Sequence, residues 1–208
     1  MRSRFLYKLF VFFTLLLNVV STKASDTTHF SITTYYSFDL SDTYSGGQLF
    51  SGELTLSRSW YGVKSQFGHF QSQYIYEFIV PYPELGSTLS INIPEMAMMG
   101  IGTISGFLRP IQKKWFSTDL VFGASLGRAT CFYMKSVDYE YLISEDRFTY
   151  LFIDYQLNKV IYFGYHAGLD FTVALTERFG IQVSTRIHDM NNGGSFFFVG
   201  GGLVFKIK

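Results

Sequence analysis

The stretch His29-Phe30-Ser31 sets a histidine and a serine two residues apart, on one face if the backbone is extended. A serine becomes a nucleophile only beside a base that a third group orients. No third group accompanies His29 and Ser31 in sequence, and His188-Asp189 likewise lacks a serine or cysteine partner. His69, His166 and His188 fall in separate segments, which is poor spacing for a metal site, and the single cysteine, Cys131, excludes an intrachain disulfide or a zinc cluster. Gly200-Gly201-Gly202 lies inside an apolar run and not between a strand and a helix, so it has no phosphate-loop context. The reading assigns no catalytic residue, no metal and no cofactor.

The remaining polar residues with chemical potential are isolated charges and polar groups: Glu53, Lys64, Asp119, His166, Asp170, Gln182, Arg186 and His188. Each interrupts an alternating segment. In His29–Leu40 the even positions are Phe30, Ile32, Thr34, Tyr36, Phe38 and Leu40, and the odd ones are His29, Ser31, Thr33, Tyr35, Ser37 and Asp39. Ile161, Phe163, Tyr165, Ala167, Leu169, Phe171, Val173 and Leu175 alternate in the same way with Tyr162, Gly164, His166, Gly168, Asp170 and Thr172. Phe179, Ile181, Val183 and Ile187 alternate with Gln182, Ser184, Arg186 and His188. A period of two is the mark of two-faced strands. Eight segments qualify, although the faces of residues 61–76 and 100–110 are not assignable. If the turn after Leu175 keeps the polar faces together, Asp170 and Arg186 fall nearly opposite each other, in reach of a cross-strand ion pair.

The connections also alternate. Three are tight and each is followed by an aromatic, Trp60, Trp115 or Phe179. The others are long, chiefly about 77–100 and 132–159. The first carries Met96, Met98 and Met99, and the second carries Tyr139 and Tyr141; all five are candidate contact residues on exposed loops. The second also alternates well enough to form a hairpin beyond the barrel body.

Composition narrows the class. Of 208 residues 19% are aromatic and only 16% charged, against about 25% charged in soluble domains. A net charge of +1 offers nothing to nucleic acid. At the start, the basic Met1–Lys8, the apolar Leu9–Val20 and the small residues before Ala24 have the layout of a secretory signal peptide, so residues 1–24 are expected to be removed and 25–208 to form one domain. The polar strand faces are built from Gly, Ser, Thr and single charges, which suits a narrow lumen better than a solvated sheet.

Together these features resemble the small OmpA/OmpX-type outer-membrane barrels. The resemblance implies an all-β fold: an eight-stranded antiparallel up-and-down transmembrane barrel, with short periplasmic turns girdled by Trp60, Trp115 and Phe179 and with longer extracellular loops. It implies residence in the outer membrane of a Gram-negative bacterium, with outer-membrane lipid and lipopolysaccharide and the barrel-insertion machinery as partners, and a further extracellular or membrane-protein partner of unknown identity. A barrel of eight strands is filled by its own side chains, so a structural or surface-binding role is expected, not a diffusion pore. Two alternatives stand beside it: a lipid-modifying barrel enzyme similar to lipid A deacylases, whose His-x-Ser the stretch at His29 resembles, and a soluble secreted β-barrel binding module.

Overall fold

The structure, a computed structural model, describes residues 28–41, 46–82, 87–142, 147–191 and 194–207. The expected signal peptide lies outside the described residues. Eight strands follow one another: β1 (Thr28–Asp39), β2 (Gln48–Arg58), β3 (Tyr61–Tyr82), β4 (Ser87–Gln112), β5 (Phe116–Leu142), β6 (Arg147–Ala174), β7 (Phe179–Met190) and β8 (Gly194–Ile207). Each pairs antiparallel with the next, and β8 pairs with β1 to close the ring.

Closure fixes the geometry. Following cross-strand partners from Phe30 through Leu56, Val63, Gly106, Phe122, Ala167 and Ile187 leads to Phe197, whereas β1 pairs Phe30 with Ile207, ten residues farther along β8. Such a stagger requires strands tilted by roughly 35–45° and leaves a lumen of side-chain width.

Polarity follows the pleat. In β2 the outward row is Phe50, Leu54 and Leu56 and the inward row is Ser51, Glu53, Thr55 and Ser57. In β8 Phe197, Leu203, Phe205 and Ile207 face out, while Phe196, Phe198 and Val204 face in. The faces that the sequence left open are now assigned: Lys64, Phe70 and Ser72 of β3 and Ile101, Thr103, Ser105 and Phe107 of β4 are inward, with Val63, Phe67 and Ile104 outward.

The first long connection corrects the expectation of a loop, and the second forms the hairpin that its alternation predicts. Residues 77–100 and 132–159 are almost entirely ladder: β3 and β4 stay paired from Tyr61↔Leu108 up to Tyr82↔Ser87, and β5 and β6 from Phe116↔Val173 up to Leu142↔Arg147. Strands of 22 to 28 residues greatly exceed the roughly 10 that cross a bilayer, so two hairpins rise beyond the ring. They part above Met96↔Phe132, the last β4–β5 pair. Pro94, which has no N–H to donate, stands just past that point, and a proline is tolerated on an edge that no strand shares.

Candidate functional site: the lumen and the protruding hairpins

The lumen is layered from the turn end to the hairpin end. At the turn end a cavity of about 400 Å³ is walled by residues that include His29, Ser31, Arg109, Lys113, Gln182 and Lys206. His29 and Ser31 therefore meet on one wall, at the end opposite the hairpins. Trp60, half-buried beside Tyr61, and the exposed Trp115 and Phe179 surround the same end.

Above the cavity lies an ionic layer. Lys64 of β3 donates to Asp170 of β6 at 2.5 Å and lies 3.0 Å from Asp119 of β5 and 3.5 Å from Glu53 of β2. Arg186 of β7 grips Asp170 through both terminal guanidinium nitrogens, with Nη2 at 2.7 Å from Oδ2, and approaches Glu53 at 3.5 Å. Arg109 of β4 holds Asp119 in a bidentate pair at 2.7 and 3.2 Å. Tyr35 donates to Glu53 at 3.0 Å and accepts from Gln182 at 2.5 Å. Three carboxylates thus meet three cations with no charge left over. That balance is what a buried ionic group requires, since the desolvation cost is offset only by good geometry and complete hydrogen bonding. Asp170 is not directly opposite Arg186: the register pairs Asp170 with Ser184 and Arg186 with Gly168, so the contact is diagonal. Gly168 leaves room for it, because a Cβ there would stand 2.7 Å from Arg186 Cδ.

The next layer is built on two imidazoles. The rings of His166 and His188 stack at 5.0 Å. Ser105 bonds Nε2 of His166 at 2.7 Å, and Ser125 bonds Nδ1 of both His166 and His188 at 2.9 and 3.1 Å. Ser125 has one proton to give, so at most one of the two Nδ1 atoms accepts from it and the other must carry its own N–H and donate.

An apolar plug closes the hairpin end. Phe70, Phe196 and Phe198 form a triangle with centroids 5.6 to 5.8 Å apart, and Leu49, Met99, Ile101, Ala129, Tyr162 and Met190 pack around it. Met99 was expected on an exposed loop and is instead 3% exposed in this plug, because the ladder of β4 turns its side chain inward. Met96 and Met98 are half-buried on the hairpin stem. Tyr139 and Tyr141 lie on the β5–β6 hairpin and pack on Phe148, at 6.3 and 5.1 Å, and Tyr139 also meets Phe78 of the neighbouring hairpin at 6.3 Å. Phe198→Ala should cost about 3–5 kcal/mol, the usual result of emptying a packed aromatic site, and urea unfolding in detergent micelles measures it.

Sequence reading missed Arg109, Tyr35 and the phenylalanine plug. Arg109 precedes Pro110 beside a register shift in the β4–β5 ladder, where alternation gives no face. The plug is invisible to a rule that assigns every large apolar side chain to the outside. Among the described residues, no group of three or more His, Cys, Asp or Glu side chains could hold a metal ion.

No family model and no curated protein matches the chain. Solved structures do match. The crystal structure of a major outer membrane protein from Thermus thermophilus aligns with a TM-score of 0.51 at 11% identity, covering 87% of this chain and 100% of that one. The fold is that of the small eight-stranded outer-membrane barrels. Neisserial surface protein A aligns over 89% of this chain and 99% of its own, at 11% identity and a TM-score of 0.48. Ail, the attachment invasion locus protein of Yersinia pestis, aligns over 86% and 97%, at 14% identity and a TM-score of 0.46.

Proposed function

We propose that this chain is a non-enzymatic outer-membrane barrel of a Gram-negative bacterium, exported by a cleaved leader at residues 1–24. Its body is a sealed structural wall, and its two protruding hairpins bind partners at the cell surface. One observation carries the reading, the inverted polarity of the wall. Phe50, Phe67, Ile104, Ile161, Phe163, Phe171, Ile181, Ile187 and Leu203 are between 39% and 70% exposed, while Glu53, Lys64, Asp119, Asp170 and Arg186 are at most 5% exposed. Such an exterior is unstable in water and suited to lipid, and a sheet can stand in lipid only when it has closed on itself.

The lumen is filled by stacked ionic, imidazole and phenylalanine layers, which supports a structural body over a pore. The hairpins then carry the contacts with the outside. On them Tyr74, Ile75, Tyr76, Ile79, Tyr150, Leu151, Phe152 and Tyr155 remain exposed beyond the ring, with Met96 and Met98 at the stem, Tyr139 at the contact between hairpins and Tyr141 on Phe148 of its own hairpin. Large rigid side chains of this kind bind at low entropic cost. The chain is expected in the outer-membrane fraction, migrating faster in gels when unheated than when boiled, and silent in planar bilayers. A soluble product, or stepwise current, would contradict the reading. Deleting hairpin residues 77–92 or 138–152 should remove surface binding and spare insertion.

A further inference from the structure

Among the described residues, two strand edges are open on the hairpins. Among the same residues β3 pairs with β2 only as far as Gln71, so Gln73–Tyr82 has a ladder on one side alone. β6 pairs with β7 only from Gly164, and Phe163 is taken by Asn191, which leaves Arg147–Tyr162 with one open side. A long unpaired edge is a template for another strand.

We propose that these two edges pair with each other between neighbouring copies of the chain, the β3 edge of one copy adding to the β6 edge of the next in a head-to-tail lateral array. The inference rests on the membrane reading, which holds all copies in one orientation. In that orientation β3 ascends and β6 descends in every copy, so β3 meets a neighbour's β6 antiparallel. Two copies of the same edge would meet parallel.

Depth fixes the register. The partner line from Gln71 runs through Met98 and Thr130 to Lys159. A stagger of ten residues in eight strands is about four over those three steps, so the depth of Gln71 is reached on β6 near Phe163. One further step, into the neighbouring copy, sets Gln73 opposite Phe163. The same register sets Ile75 opposite Ile161, Glu77 opposite Lys159 and Ile79 opposite Leu157.

The side chains of these last three pairs are all exposed and share the outward face. The register thus makes one opposite-charge pair flanked by two aliphatic pairs, the cross-strand combinations that stabilise a ladder. Within their own sheet Glu77 faces Asn92 and Lys159 faces Thr130, so neither has its charge answered across its existing ladder. A head-to-tail contact that uses two different surfaces generates rings or open chains, not a closed dimer.

The test uses the full chain with Cys131→Ser, in versions carrying Glu77→Cys or Lys159→Cys, reconstituted together into lipid vesicles and mildly oxidised. Residues directly opposite in a ladder stand at disulfide distance. The expected product is a mixed 77–159 dimer, with neither version forming a dimer when reconstituted alone. Glu77→Lys in an otherwise unaltered chain should abolish chemical cross-linking between copies, and adding Lys159→Glu should restore it. The proposal is overturned if no mixed dimer forms in vesicles where the protein shows heat-dependent migration, if same-site dimers form equally well, or if the Glu77→Cys version couples only to a foreign protein on cells. Failure to insert at all would instead overturn the membrane reading.

Discussion

Asp170→Ala should destabilise the barrel by about 3–5 kcal/mol, the cost of leaving buried charge without its partner. Asp170 is wholly buried and serves two cations, Lys64 at 2.5 Å and Arg186 through a bidentate contact. Its removal leaves three cations facing two carboxylates in a layer where side-chain burial keeps solvent from screening them. Adding Lys64→Met should recover much of the loss, because Glu53 and Asp119 would then balance Arg109 and Arg186. The two single variants and the double variant form a cycle whose coupling reports the pair, and urea titration of the heat-dependent gel band reads it. Strict additivity of the two losses would show that the ionic layer is not one unit.

The second large effect lies at the seam. A Cβ on Gly200 would fall 2.1 Å from Ser37 Oγ and 2.4 Å from the Tyr36 carbonyl oxygen, whereas one on Gly201 would meet nothing nearer than 3.9 Å. Gly200 faces β1 across the β1–β8 ladder that closes the ring. Gly200→Ala should therefore cost at least about 1–3 kcal/mol, and Gly200→Val should prevent closure and abolish the fast-migrating folded form. Gly201→Ala, one residue away on the outer face, should stay within about 0.5 kcal/mol. Equal behaviour of the two alanine variants would contradict the described seam. The triple glycine is thus two demands for space flanking one indifferent position.

The sequence made the strands legible where the two sides of the wall differ in solvent. In β1, β2, β6 and β7 the lumen row is largely Ser, Thr, Gly and charge, and the outer row is aliphatic or aromatic, so period and facing both emerge. In β3 and β4 the hairpin end of the lumen is filled by Phe70, Met99 and Ile101, with Phe107 lower down, so both faces carry apolar residues and alternation loses its contrast. The same apolar filling misassigned Met99 to a loop. The hairpin of residues 77–100 was unreadable for another reason. Beyond the ring there is no fixed inside and outside, and prolines such as Pro94, which argue against a central strand, are compatible with an edge. Charge partners were partly legible: Asp170 and Arg186 lie on consecutive strands, but Lys64 reaches Asp170 across the lumen, from a strand 106 positions away in sequence. No local pattern encodes a contact across the barrel axis.

The central claim is that the wall is inside out, with its apolar face toward lipid. The most direct measurement places one nitroxide at a time along residues 161–175 of β6 and the turn that follows it, in a chain carrying Cys131→Ser and reconstituted in a bilayer. Accessibility to oxygen, which concentrates in lipid, is then compared with accessibility to a water-soluble nickel complex. The account predicts high oxygen accessibility at 161, 163, 165, 167, 169, 171 and 173 and low accessibility to both reagents at 162, 166 and 170, a strict period of two. Oxygen maxima at the even positions, or nickel access along the odd ones, would contradict it.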